Sequence, residues 1–156
     1  MAQRKPHSQA ECPVERTVDI LGDEWSLLIL RDVFDGLRRF GELQKNLGVA
    51  RNILSSRLRN LVAHGILETV AASDGSAFHE YALTPKGKDL FQVIVALRQW
   101  GEHHCFQPDE PRSRLVDTEH GRPVRPLELR AEDGRALACS DAVVKKVSEQ
   151  KPRRKR

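Results

Sequence analysis

Two short apolar stripes separated by a single glycine constrain this chain more than any other feature. Phe40, Leu43 and Leu47 precede Gly48, and Leu54, Leu58 and Leu61 follow it before Gly65. Steps of three and four residues place each set on one face of a helix. The first helix is expected over about 39–47 and the second over about 50–64, where Gly65 supplies the left-handed residue that helices prefer just past their end. Only two or three residues are left between them. Two short helices across so tight a turn make a helix-turn-helix.

The flanking sequence extends that unit. Pro13 suits the first turn of a helix because its missing donor is not needed there, and Val14, Val18 and Leu21 follow at helical spacing before Gly22. Asp23 can cap a second helix over 24–35, whose sequence WSLLILRDVF is apolar nearly all round and therefore central. Beyond Gly65, two β-prone runs at 66–71 and 78–83 flank the turn sequence SDGSA and predict a hairpin, a wing. Thr84-Pro85 restarts a helix that runs to about residue 104. Leu90, Ile94, Leu97 and Gly101 lie along one side of it, and Phe91 and Val95 widen the stripe. Trp25 reads as a core aromatic and Trp100 as an interface aromatic. The fold class is mainly α with a small β-hairpin wing: a winged helix-turn-helix, dimerised by its terminal helices through Leu90, Ile94, Leu97, Trp100 and Gly101. A polar, disordered N-terminus is expected over 1–10 and the winged domain over 11–105. An extension over 106–150 starts with a proline-rich arm, holds a hairpin around Asp133-Gly134 and ends in one short helix, and a basic tail follows over 151–156.

Other classes find little support. With 156 residues, 39% of them hydrophobic and 5% aromatic, the chain supports one small core. No apolar run approaches the ~18 residues of a spanning helix, and MAQRKPHSQAE lacks a secretory apolar stretch; no membrane partner and a cytoplasmic location are expected. Cys12, Cys105 and Cys139 form no CxxC pair. His103, His104 and Cys105 are adjacent, but neighbours on a helix point about 100° apart and rarely converge on one ion. No metal and no cofactor are expected. No nucleophile elbow, phosphate loop or paired-histidine motif is present, so an enzyme is not expected.

The charge pattern points to nucleic acid. The tail KPRRKR, with five positive charges, outweighs the net charge of +4, but residues 36–60 carry Arg38, Arg39, Lys45, Arg51, Arg57 and Arg59 against the single acid Glu42. On the helix over 50–64, Asn52, Ser56 and Arg59 lie opposite the leucine stripe, flanked by Ser55 and Asn60. In a helix-turn-helix that face lies in the major groove, where Arg reads guanine and Asn reads adenine. Arg57 falls beside the stripe, where it either pairs with an acid or reaches a phosphate. Arg38 and Arg39 stand where phosphates would pass, and Arg51 opposes the helix dipole at the N-terminus, a cost that a phosphate would offset. The wing tip, with Asp74 and Glu80 beside His79, offers no arginine for the minor groove. The tail either adds sequence-independent attraction to DNA or merely solubilises the end.

The motifs CPV, GDEW, LLILRD, RRFGELQ, the repeated RL of the second helix and HGILE occur in fixed order, followed by EYALTPKGKDLFQVIVALRQWGEHH. Over about 12–104 the chain resembles the HxlR family of bacterial regulators, relatives of the MarR group. The resemblance implies a homodimer with two recognition helices on a palindromic double-stranded operator, and control of nearby genes; repression is the expected sign. It also implies a response to electrophiles, oxidants or small molecules, without naming the effector. Similar proteins use the cysteine of the CPV motif as the sensor, here Cys12. That residue precedes Pro13 at the start of the first helix, where the dipole favours negative charge, with Arg16 one turn on and Glu11 and Glu15 opposing. Simple packing of Cys12 against a partner subunit is the alternative. For the whole chain, the alternatives are a winged-helix protein-interaction module that reads no DNA, or a regulator answering a small-molecule ligand instead of redox. Some similar proteins carry extension cysteines that could hold a metal; HGRPVRPLELRAEDGR has none, so no zinc is inferred.

Overall fold

The computed structural model describes residues 10–149, so the basic tail and nearly all of the N-terminal segment lie outside the described residues. The elements in chain order are α1 (Pro13–Leu21), α2 (Glu24–Phe34), α3 (Phe40–Leu47), α4 (Arg51–Ala63), β1 (Leu67–Ala71), β2 (His79–Leu83), α5 (Pro85–Lys88) and α6 (Phe91–His104). The chain divides into two compact units, Met1–Ile94 and Val95–Arg156, with the boundary inside α6.

Local chemistry explains where the first helices begin and end. The carboxylate of Asp23 accepts from the N–H groups of Trp25 and Ser26, both at 2.9 Å, and its second oxygen meets the Ser26 hydroxyl. Two orphan donors of α2 are satisfied at once. The Glu42 carboxylate reaches back to the N–H groups of Arg39 and Arg38, at 3.0 and 3.1 Å, and fixes the start of α3. Gly48 closes α3 with φ +61°, a left-handed conformation that a side chain would strain.

The core of the first unit is built on α2 and α4. Ile29 and Leu30 of α2, Leu43 of α3 and Leu54, Leu58 and Leu61 of α4 are fully buried. Asp32 is buried among them. It accepts from Arg31 at 2.7 and 2.9 Å and from the Asn46 amide at 2.8 Å, tying α2 to the end of α3. A buried polar group costs free energy unless it is hydrogen-bonded in this way.

The wing is an antiparallel pair in which Leu67 faces Leu83 and Ala71 faces His79. Backbone pairing continues beyond it, because the Tyr81 N–H donates to the Arg38 carbonyl at 2.8 Å. The segment entering α3 thus sits against the wing.

The single terminal helix expected over 85–104 is two helices. Thr84 caps α5 by accepting from the Gly87 N–H at 3.0 Å, and its hydroxyl donates to the Gly65 carbonyl at 2.6 Å. Gly87 lies so close to β1 that a Cβ there would stand 2.1 Å from the Ile66 carbonyl oxygen. The Leu90 N–H turns back to the Gly87 carbonyl, three residues earlier, so the helix tightens and restarts at Phe91.

The second unit has more order than a linker. Asp117 accepts from the N–H groups of His120, Arg122 and Glu119, at 2.6, 2.9 and 3.1 Å, and this organises a loop closed by the Val116–Pro123 bridge. Those three donors hold Asp117 below the usual carboxylate range. The turn at Asp133-Gly134 forms as expected, although only one bridge, Arg130–Ala136, flanks it. The short helix expected over 140–150 does not form. Cys139–Asp141 and Val147–Glu149 are single 3-10 turns, and Val143 and Val144 are 83% and 87% exposed. Two adjacent β-branched residues without an apolar surface to cover give a helix nothing to stabilise it. Among the described residues, no helix is long and apolar enough to cross a membrane.

The cap on α2 carries a pH signature. Burial pushes Asp23 upward, but hydrogen bonds from Ser26 and Trp25 and the charge of Arg57 outweigh it, so its folded pKa lies below the ordinary 3.8. The stabilisation is therefore present above the unfolded value and is lost as pH falls through the folded one. Asp23→Ala is expected to cost about 1–2 kcal/mol in urea unfolding at neutral pH. Asp23→Asn, which keeps the acceptor, costs less and removes this residue's share of the acid sensitivity.

Candidate nucleic-acid interface

The outward face of α4 carries the residues that the leucine spacing predicts. Asn52, Ser56 and Arg59 are exposed, opposite three leucines with no exposed surface. Arg59 makes one long bond, from Nε to the Ser55 carbonyl at 3.4 Å, which leaves the rest of its guanidinium open. Ser55 is half-buried at the edge of this face. The Arg51 guanidinium stacks over the Phe40 ring, 5.2 Å from its centroid, so it crosses from the start of α4 to the start of α3. Ala50 provides no side-chain cap, and the first amides of α4 stay available to water or an anion.

Three other predicted residues have internal partners. Arg57, for which an acid and a phosphate were both open, has Nε 3.2 Å from the Asp23 carboxylate, without hydrogen-bond alignment. The Asn60 amide donates to the Ile20 carbonyl at 3.4 Å, turning it toward the end of α1. Arg39 is the largest departure. Its guanidinium lies 2.5 Å from Asp74 and 3.3 Å from Glu80, the two acids of the wing. Hydrogen bonds from Arg39 and Ser76 hold Asp74 well below the usual carboxylate range, and Asp74, with Glu80, raises Arg39 further. Glu80 is only 3% exposed; it also accepts from the Ser73 hydroxyl at 3.0 Å, while its other oxygen has no partner among the described residues. Arg39 thus fastens the wing to the start of α3, and its charge is already engaged. Arg38 remains exposed beside it.

The acidic wing therefore balances a partly exposed arginine at the start of α3, a role with no local signal, since the partners lie 35 and 41 positions downstream. Phe78, 70% exposed beside the wing tip, is the apolar residue that the wing presents to solvent.

The terminal-helix residues also separate. Leu90 and Ile94 pack against the core cluster, Gly101 is half-buried, and Leu97 and Trp100 are 49% and 62% exposed. Cys12 is exposed at the N-cap of α1, and the Arg16 side chain donates to the Ala10 carbonyl at 2.5 Å. Among the described residues no three of His, Cys, Asp and Glu gather as a metal-holding group.

A family model for HxlR-like helix-turn-helix proteins matches residues 20–109, more than half of the chain. The chain belongs to the HxlR-like helix-turn-helix family. The matched span holds α2 to α6, hence the whole helix-turn-helix and wing. An uncharacterized HTH-type transcriptional regulator of Mycobacterium tuberculosis, Rv3095, is 48% identical over 102 residues. That alignment covers 65% of each protein, so this HxlR-like chain matches just under two thirds of the relative's length. The crystal structure of PA1607, proposed to be a transcription factor, superposes with a TM-score of 0.84 at 55% identity. It covers 89% of this chain and 97% of PA1607, a likeness that extends past the family core into the second unit. The redox regulator HypR in its oxidized form superposes with a TM-score of 0.54 at 31% identity, covering 60% of this chain and 97% of HypR. The fold is that of the winged helix-turn-helix regulators, mainly helical with a two-stranded wing.

Proposed function

We propose that this chain is a sequence-specific DNA-binding transcriptional regulator that acts as a homodimeric repressor on a palindromic operator. One observation carries the reading: α4 presents Asn52, Ser56 and Arg59 to solvent from a helix whose other face is locked into the core. Such a face enters the major groove, where short serines permit close approach and Arg and Asn recognise guanine and adenine edges. Arg38 and Arg51 flank it and serve phosphates. A winged-helix module that binds only proteins would present an apolar or mixed face here. Family membership and the likeness to the mycobacterial HTH-type transcriptional regulator support regulation. The test is an electrophoretic shift with DNA from upstream of the gene, followed by footprinting. Protection of two symmetric half-sites about one helical turn apart is expected; equal affinity for unrelated DNA would overturn the reading.

We further infer that the regulator responds to oxidants or electrophiles through Cys12. The thiol is exposed, and the structurally similar HypR is a redox regulator. Residues 38–60 contain no cysteine, so modification of Cys12 alone, or pairing with a small thiol or the partner's Cys12, is the chemistry to expect. Diamide or a quinone should release the wild-type protein from operator, whereas Cys12→Ser binds and no longer responds. Normal release of the Cys12→Ser variant, or no response in wild type, leaves Cys12 a packing residue.

A further inference from the structure

The second unit contains a cavity that neither DNA reading nor thiol chemistry uses. It is a hollow of about 260 Å³, open to solvent on one side, between the C-terminal half of α6 and the arm that follows. Both walls belong to the same unit and are pinned together. Arg98 donates to the Ser113 hydroxyl at 2.9 Å and reaches its carbonyl at 3.4 Å. The Gln99 amide donates to the Arg125 carbonyl at 3.0 Å and accepts from the Leu127 N–H at 2.7 Å. These bonds hold the arm at both ends of the cavity, so its shape exists before any ligand arrives.

The lining is mixed. Leu115, Pro123 and Val124 supply an apolar wall, and Arg98, Arg112 and Arg114 supply three guanidinium groups. Arg98 is already committed, to Ser113 and, at 3.7 Å, to Glu102, the one acid in this lining. Arg112 rests over the Phe106 ring, 5.6 Å from its centroid, and Arg114 has no hydrogen-bond partner among the described residues. Neither makes an ion pair with a carboxylate among the described residues. Asp109 and Glu110 line the adjoining hollow beside Arg112 and Arg114, and Glu110 accepts from the Gln107 N–H at 3.0 Å.

We propose that this cavity binds a small organic carboxylate, its charged group on Arg112 and Arg114 and its apolar body against Leu115, Pro123 and Val124. Both arginines line the hollow without a carboxylate partner of their own, and a guanidinium fork can take such a group in bidentate fashion. Glu102, Asp109 and Glu110 keep the local field nearly balanced, which favours a singly charged ligand over a phosphodianion or nucleic acid. The volume lies below the usual ~300–1,000 Å³ of ligand cavities, so the body is one ring or a short chain. The site goes beyond the DNA-binding reading and does not depend on it.

Calorimetry and amide NMR of the full-length protein test the proposal, with benzoate and butyrate as probes and benzamide and inorganic phosphate as comparators. At least one carboxylate should bind saturably and shift the amides of Arg112, Arg114, Leu115 and Val124. The neutral amide and phosphate should bind at least tenfold more weakly. Arg112→Ala combined with Arg114→Ala should lower carboxylate affinity at least tenfold, while Arg130→Ala, elsewhere in the same unit, leaves it unchanged. If the double variant loses its folded spectrum, Arg114→Gln alone is read and should weaken binding several-fold. The proposal is overturned if neither carboxylate binds, if benzamide or phosphate binds equally well, or if the arginine variants bind as wild type.

Discussion

Leu97→Asp is expected to turn a dimer into a monomer and to remove most of its operator affinity. Val93, Leu97 and Trp100 are 42%, 49% and 62% exposed, and steps of four and three residues put them on one face of α6. Val95 is buried and Ile94 packs on the core, so this face is left over once the chain has folded on itself. Val14 and Val18 leave a similar surface on α1, 69% and 43% exposed. A two-fold contact between copies would bury such surfaces against themselves. An aspartate within it then meets its own symmetry mate and loses water with no partner. Losing the dimer leaves each recognition helix to bind one half-site alone, which forgoes an avidity of about 10²–10⁴-fold. Sedimentation should show monomer at micromolar concentration, with an unchanged far-UV spectrum because Leu97 is half-exposed in the single chain. A Leu97→Asp protein that still sediments as a dimer and shifts operator would move the interface elsewhere.

The second large effect is expected on α4. Asn52→Ala and Arg59→Ala should each cost about 1–3 kcal/mol on operator, roughly five- to 150-fold in affinity, with binding to unrelated DNA nearly unchanged. Neither side chain supports the fold: both are exposed, and the bond from Arg59 to the Ser55 carbonyl is long. Stability should therefore stay within about 0.5 kcal/mol of wild type. Arg57→Ala should behave differently. Its partner is Asp23, the cap of α2, so the substitution acts on stability and leaves operator selectivity in place. Comparing the three variants by operator titration and urea unfolding separates reading from scaffolding. Full selectivity in both Asn52→Ala and Arg59→Ala would show that another surface reads the bases.

The sequence by itself determined the order of the elements and the inner face of each short helix. Asp23, Glu42 and Gly48 act within four residues of the helix ends that they set, so their effect is visible in the local string. Leu54, Leu58 and Leu61 have one apolar face to bury and no second choice, which placed Asn52, Ser56 and Arg59 outside. Where apolar residues surround a helix, periodicity loses that power. The terminal segment offers Leu90, Ile94 and Leu97 as one stripe, yet packing takes Leu90 and Ile94 into the core and leaves Leu97 with Val93 and Trp100. The segment divides into α5 and α6 after a turn in which Gly87 lies against the Ile66 carbonyl, and no local residue announces a neighbour 21 positions away. Arg39 is the clearest case. Beside Arg38 at the start of α3 it reads as a second phosphate contact, and only the folded wing brings Asp74 and Glu80 to it. A long charged side chain takes whichever opposite charge the fold places within its reach. The tertiary structure decided which arginines pair with acids of the chain and which remain exposed on the surface of α4.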